Sequence, residues 1–299
     1  MKTTLIVNPT SGGETAVDHL PMMTARLREA FADLDVVVTE AEGDAEKAGR
    51  RAVVDGRERV FVAGGDGTLN EVLNGIAAAD GLGATTLGVI PLGTGNDFAT
   101  AAGIPAEPED AIARLLAGRA HPIDVGRVNG RCFLNVSAGG FIAEVSEAVP
   151  SKLKTVLGKL AYLVGGAQVL LEFEPLQVEL TAETEGAPDV PRTMSLHTFA
   201  VCNSRLIGGG RLIAPHASID DGWLDVCLIQ AMPTVEFLAL LRRVSDGDHL
   251  EDERVAYFRA RSLELAFDRR IAINTDGEVR EAEHCRYDVL PGALHVLLP

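Results

Sequence analysis

Four short, uninterrupted apolar runs punctuate the first 125 residues: Leu5–Val7, Val36–Val38, Val60–Ala63 and Leu87–Ile90. Runs of this length without alternation fit strands covered on both faces. Between and after them, helical patterns fall near 14–31, 44–55, 68–78 and 108–118. Asp44 stands at an expected N-cap and Pro108 at a first-turn position. This alternation predicts an α/β fold with a doubly wound, mostly parallel sheet, which binds ligands at its C-terminal strand ends.

The pattern changes after about residue 125. Gln177-Val-Glu-Leu-Thr-Ala and Ser262-Leu-Glu-Leu-Ala-Phe alternate polar and apolar positions, as antiparallel strands with one wet face do. The polar stretch Glu183–Pro191 reads as the loop between two such strands. A second, β-rich and sandwich-like domain is expected over 126–292, with helices near 139–148, 153–171 and 233–244. The first domain is expected over 1–125. The last apolar run, Ala293–Leu298, is a candidate strand that returns to it, so that 293–299 would complete that domain.

Composition narrows the function classes. The chain has 299 residues, a formal charge of −16 and only 5% aromatic residues. An acidic surface poor in stacking side chains argues against a nucleic-acid partner. Only five of the 27 basic residues are lysine, a balance that suits high salt or a GC-rich coding sequence equally. Cys132, Cys202, Cys227 and Cys285 are far apart and form no C-x-x-C, so they read as core thiols in a reducing compartment. The first apolar run is too short for a signal peptide, and no run has transmembrane length. A cytoplasmic protein with at most peripheral membrane contact is expected.

Each strongly punctuated turn of the first domain follows a predicted strand. These are Asn8-Pro9-Thr10-Ser11-Gly12-Gly13, Gly64-Gly65-Asp66-Gly67-Thr68-Leu69-Asn70-Glu71, and Pro91-Leu92-Gly93-Thr94-Gly95-Asn96-Asp97-Phe98. Glycines allow close backbone approach to a phosphate, and a following helix adds its positive end. Thr68 and Thr94 supply hydroxyl donors. Asp66 beside phosphates implies an intervening cation, Mg²⁺. A tight turn explains any one loop; three on one sheet edge point to a phosphate site. The pattern is neither a Walker A loop nor a G-x-G-x-x-G turn.

Gly64-Gly-Asp-Gly-Thr resembles the signature of the superfamily of diacylglycerol kinases, sphingosine kinases, NAD kinases and phosphofructokinases. Asn-Pro-x-Ser-Gly at 8–12, the extension to Gly75 and Pro-Leu-Gly-Thr-Gly-Asn-Asp-Phe at 91–98 narrow it. Together they resemble the bacterial soluble diacylglycerol kinase and YegS-like lipid kinase family. The likeness continues through Phe133-Leu-Asn, Gly140-Phe141, Gly208-Gly-Gly-Arg-Leu-Ile-Ala-Pro, Asp221-Gly-Trp-Leu-Asp-Val and Asp276-Gly-Glu.

That resemblance implies an ATP- and Mg²⁺-dependent kinase that phosphorylates the hydroxyl of diacylglycerol or a related lipid alcohol in an interdomain cleft. It places Asn8, Pro9, Thr10, Ser11, Gly12, Thr39, Gly65, Asp66, Gly67, Thr68, Leu69, Asn70, Glu71, Thr94 and Asn96 near the nucleotide. It puts the proton acceptor within Asp276-Gly-Glu278 without choosing between the acids; a plain Asp-Gly hairpin is the competing reading. Ser218, Asp221 and Trp223 resemble a structural Mg²⁺ turn, with Asp220 auxiliary; a solvated acidic turn competes. Arg211 stands where the family often has Met. The resemblance leans toward a homodimer.

Lys152, Lys154 and Lys159 precede a largely apolar stretch, Leu160–Leu171. This reads as a lipid entrance resting on an anionic bilayer, or equally as a helix packed on its own domain. Two other functions share the first motif: an NAD kinase-like enzyme with a soluble substrate, and a non-catalytic nucleotide or lipid sensor. Asn-Pro-x-Ser-Gly together with Gly-Thr-Gly-Asn-Asp-Phe weighs against the former, and the paired Asp66 and Asp276-Gly-Glu278 acids against the latter.

Overall fold

In a computed structural model, which describes residues 1–12, 15–148, 173–184 and 193–299, strand β1 (Lys2–Val7) lies between β2 (Asp33–Val38) and β3 (Arg59–Gly64). Next to β3 comes β4 (Thr86–Pro91), and all four run parallel. Leu5, Ile6, Val7, Val60, Phe61 and Val62 are fully or almost fully buried, as continuous apolar runs require. The run at Val36–Val38 behaves differently: Val38 is exposed, because β2 forms the sheet edge.

Helices α1 (Thr15–Ala30), α2 (Asp44–Val54), α3 (Asp66–Ala77) and α5 (Pro108–Ala117) fall close to their expected positions. α3 begins at Asp66, two residues before the pattern predicted, so the glycine-rich turn passes directly into the helix. A five-residue helix, α4 (Asp97–Ala101), was not legible in the apolar pattern. It is too short for a periodicity to show.

The second half is built on β5 (Arg119–Val128), β6 (Arg131–Phe133), β7 (Val136–Gly140), β8 (Leu176–Thr184), β9 (Thr193–Cys202), the small hairpin β10 (Leu206–Ile207) and β11 (Arg211–Leu212), and β12 (Leu224–Gln230). Two strands of 21 residues, β13 (Val255–Thr275) and β14 (Glu278–Leu298), complete it. β9 and β13 each pair with several partners along their length, so the sheet folds over a core that includes Phe199, Leu265 and Tyr287. Helices α6 (Phe141–Ala148) and α7 (Thr234–Arg243) lie beside a further cluster, where Phe237 packs at 5.1 Å from Phe141.

β14 links the two halves. It leaves the Asp-Gly turn paired with β13, then meets β4 in parallel through His295↔Thr86 and Val296↔Leu87. The final strand therefore lies on the sheet that carries the three glycine-rich turns. The expected helix at 153–171, its three lysines and the loop ending at Pro191 lie wholly or partly outside the described residues. All four cysteines are buried and free.

Candidate active site

The turns after β1, β3 and β4 meet at one edge because their strands are neighbours in the sheet. The amide of Asn8 donates to Thr68 Oγ1 at 2.9 Å, joining the first turn to the second. Its carbonyl oxygen accepts from both the N–H and hydroxyl of Thr10. The second and third turns touch backbone to backbone: a Cβ on Gly93 would lie 2.5 Å from the Cα of Gly65. Asn96, in the left-handed region at φ 52°, closes the third turn by accepting from Gly93 N and donating to Gly93 O.

Asp66 fastens this assembly. Its Oδ2 accepts from Asp97 N at 3.0 Å and its Oδ1 from Phe98 N at 3.1 Å, so it caps α4 from another turn. Asn135, beyond β6, gives the carboxylate its third donor, reaching Oδ1 through Nδ2 at 3.1 Å. The neighbouring Asp97 reaches the second half, accepting from Gly209 N and Gly210 N. Burial pushes the Asp97 carboxyl above the ordinary range, with the Asp66 charge adding to the rise against those N–H donors.

Asp276 closes the site from the opposite side. Thr275 and Glu278 pair across the β13–β14 hairpin, and Asp276 and Gly277 have φ 49° and 97°. The Asp-Gly hairpin is therefore real, as the two positive φ values show. The carboxylate is nevertheless buried. It accepts from the successive backbone N–H groups of Leu134, Asn135 and Val136 at 2.7–3.3 Å. Asn70 Nδ2 adds a bond at 3.3 Å. Burial pushes this carboxyl up to about 7, against the N–H donors of Leu134 and Val136 and with the Asp66 charge.

Several sequence-derived positions make contacts within the protein itself. Leu69 is buried in the first core. Asn70 and Asn74 both donate to Cys132 O, and Asn70 also donates to the Asp276 carboxylate. Glu71 accepts from Gly43 N at 3.1 Å and so holds the turn before α2. Thr39 is buried, its hydroxyl donating to Val7 O at 3.4 Å. Pro9, Thr10, Ser11, Gly12, Gly67 and Thr94 remain partly or fully exposed at the strand ends.

Glu278 points into a different set of contacts. Its Oε2 accepts from Arg131 and Arg280, each at 3.3 Å, while Arg131 also pairs with Glu46 on α2.

At the acidic turn, Ser218 Oγ donates to Asp220, and Asp221 accepts from Trp223 N and pairs with Arg259 at 3.3 Å. Burial holds the Asp221 carboxyl above the ordinary range. A hard cation at this turn must compete with Arg259 for the Asp221 carboxylate. Among the described residues, no group of three or more His, Cys, Asp or Glu is arranged to hold a metal. Two residues outside the sequence-derived set connect this turn to β14 and to the segment that holds Asp276. Buried Asp124 accepts from Gly222 N and Gly292 N, and Asn203 donates to the carbonyls of Asp124 and Leu134. Asp97, Asn135, Asp124 and Asn203 carried no spacing signal of their own, although Asp97 and Asn135 lie inside quoted motifs.

Known proteins are similar to this chain along nearly its whole length. Residues 2–128 match the diacylglycerol kinase catalytic domain, and residues 135–298 match the YegS C-terminal NAD kinase beta sandwich-like domain. A diacylglycerol kinase from Bacillus subtilis is 36% identical over 99% of this chain and 95% of its own length. The chain belongs to this family of lipid kinases. A Pseudomonas aeruginosa protein described as "Probable lipid kinase YegS-like" is 38% identical over 96% of this chain and 92% of that one. In fold, the chain is similar to a solved diacylglycerol kinase from Bacillus anthracis, with TM-score 0.77 and 24% identity over 100% of this chain and 97% of that one. Another solved chain from that organism is 27% identical with TM-score 0.83, over 100% of this chain and 95% of its own. The mixed α/β and β-rich architecture expected from the sequence is thus the family's fold. No helix among the described residues is long and apolar enough to cross a membrane.

Proposed function

We propose that this lipid kinase uses ATP and Mg²⁺ to phosphorylate the hydroxyl of diacylglycerol or a related lipid alcohol, with Asp276 as proton acceptor. The observation that carries the reading is the placement of Asp276. A buried carboxyl raised to about 7 is held within the electrostatic reach of Asp66, at the edge where three phosphate-type turns converge. A base with a pKa near the working pH is suited to accept a proton late in phosphoryl transfer. Glu278 is the poorer candidate, because its carboxylate is engaged by Arg131 and Arg280 and shares none of Asp276's backbone N–H partners.

In this reading the exposed backbone of 8–12, 65–68 and 93–95 receives the nucleotide phosphates, aided by the N-terminus of α3. Asp66 and Asp97 offer hard oxygen donors; burial chiefly, and the Asp66 charge in part, raise the Asp97 carboxyl, and a divalent cation would offset that clustered negative charge. Mg²⁺ would neutralise the charge that the phosphates bring. Asp276 takes the acceptor hydroxyl proton as the new O–P bond forms and ADP leaves. Ser218, Asp221 and Trp223 form a second cation turn in this proposal, reached by exchange of Arg259 for the ion; an Mg²⁺-dependent rise in Tm that Asp221→Asn abolishes is the expected sign of it.

The deciding experiment incubates the protein with labelled ATP, Mg²⁺ and a panel of lipid alcohols, followed by mass spectrometry of the products. Diacylglycerol phosphate or a related phospholipid is expected. Phosphorylation of NAD with no lipid product would overturn the substrate class, and nucleotide binding without any transfer would support a sensor. Changing Lys152, Lys154 and Lys159 together to Glu is expected to lower turnover on anionic vesicles; unchanged turnover would remove that segment as the lipid entrance.

A further inference from the structure

Asp66 and Asp276 come from different halves of the chain, and one residue hydrogen-bonds both. Asn135 Nδ2 donates to Asp66 Oδ1 at 3.1 Å, while its backbone N–H donates to Asp276 at 3.1 Å. Among the described residues no other residue bonds both carboxylates. The amide orientation is fixed by chemistry, since only the NH₂ end can face a carboxylate. Asn135 is itself 5% exposed. Its carbonyl accepts from Asn203 N at 2.8 Å and Ser204 N at 3.2 Å, so its backbone is pinned from the far side. Its Oδ1 is buried with no partner. A buried amide oxygen left unsatisfied costs about 1–3 kcal/mol. The cost is understandable if the position requires a neutral donor toward Asp66.

We infer that Asn135 is a positioning residue for phosphoryl transfer, the neutral clamp that sets Asp66 and Asp276 at a fixed separation. The inference rests on the kinase reading above. A neutral side chain is needed because the surroundings are already acidic. Asp66 on α3 and Asp97 on α4 lie on one side, and Arg131 on β6 and Glu278 on β14 flank the hairpin, with that arginine already shared by Glu46 and Glu278. An aspartate at 135 would keep the size and lose the donor. It would also set a further carboxylate against Asp66, adding like-charge repulsion where Asp97 already stands close.

Three variants test this: Asn135→Asp, Asn135→Ala and Asn135→Ser. Because the backbone N–H survives in each, Asp276 keeps that bond. Asn135→Ala is expected to lower kcat about tenfold or more, with little change in KM for ATP, and Asn135→Ser to recover part of the loss. Asn135→Asp is expected to move the acid limb of the kcat profile up by about one pH unit. The pH dependence of Tm gives a readout free of activity: the fall of Tm with rising pH should extend to higher pH in Asn135→Asp than in wild type. Wild-type kcat in Asn135→Ala, or equal Tm–pH slopes in wild type and Asn135→Asp, overturns the inference. If Asn135→Asp does not fold, the kcat and KM values of the Ala and Ser variants decide it. If wild type transfers no phosphate, the kinase reading fails, while the Tm slopes still judge the clamp.

Discussion

Asn70 donates to the Asp276 carboxylate at 3.3 Å across 206 positions of sequence, tying the glycine-rich helix α3 to the hairpin that carries the proposed proton acceptor. The same amide also holds Cys132 O at 3.0 Å, and its oxygen accepts from Asn74. Asn70→Ala removes all three side-chain bonds in a buried place. A loss of about 1–3 kcal/mol is expected in denaturant unfolding. Because the Asn70 donor lowers the Asp276 carboxyl, its removal should also shift the acid limb of kcat to higher pH. An unchanged limb would separate Asn70 from the acceptor and leave it a role in packing.

The sign of the Asp276 effect on stability can be worked out from its environment. Its folded-state carboxyl is raised to about 7 from an ordinary value of 3.8. The folded protein therefore holds a proton that the unfolded chain releases over that window. The contribution to stability is fully present below about pH 4 and is lost as pH rises through about 7. With Asp276 as the proposed base, activity runs the other way, because a base must be ionised: kcat should rise with pH and level off above about 7. In Asp276→Asn the kcat should fall about 100-fold or more, and the Tm–pH slope between pH 4 and 7 should flatten relative to wild type. A wild-type slope in that variant would show that another group titrates there.

Asp66 has two roles that one substitution can pull apart. Both carboxylate oxygens accept N–H donors, so the amide of Asp66→Asn would set an NH₂ against one of them. A stability loss of about 1–3 kcal/mol follows from that mismatch alone. If Asp66 also organises phosphates and a cation, transfer should fall about 100-fold or more even below the Tm of the variant. Lost stability with near-normal turnover would confine Asp66 to fastening α4.

Much of this was legible in the sequence, for physical reasons that also explain the gaps. The runs at Leu5–Val7 and Val60–Ala63 announce doubly covered strands because no polar residue interrupts them. The turns are legible because backbone approach, as between Gly65 and Gly93, demands glycine. By contrast, which way a side chain points across domains leaves no local trace. Asn70 and Leu69 sit in the motif that reads as phosphate-binding, yet one faces Asp276 and the other the core. Asn135 lies in an apolar stretch whose pattern says only "buried". Its two carboxylate partners come from α3 and the β13–β14 hairpin, which only the tertiary fold brings together.

Two glycines of α3 make opposite predictions. At Gly75 a Cβ would lie 2.0 Å from Glu46 O and 2.9 Å from Arg50 N, because α2 and α3 touch backbone to backbone. Gly75→Ala must push the helices apart, and overpacking of this kind costs about 1–3 kcal/mol. The shift would carry Asp66 and Asn70 with it, so both Tm and kcat should fall. At Gly67 a Cβ meets nothing within 4 Å, and the residue is exposed in the first turn of the same helix. Gly67→Ala should therefore leave unfolding stability unchanged or raise it by up to about 1 kcal/mol. If nucleotide phosphates approach the backbone there, the added methyl should still raise KM for ATP several-fold, read from initial rates on the intact enzyme. A Gly67→Ala protein with wild-type KM would move the phosphates away from that turn, and one with lowered Tm would show that α3 is packed there after all.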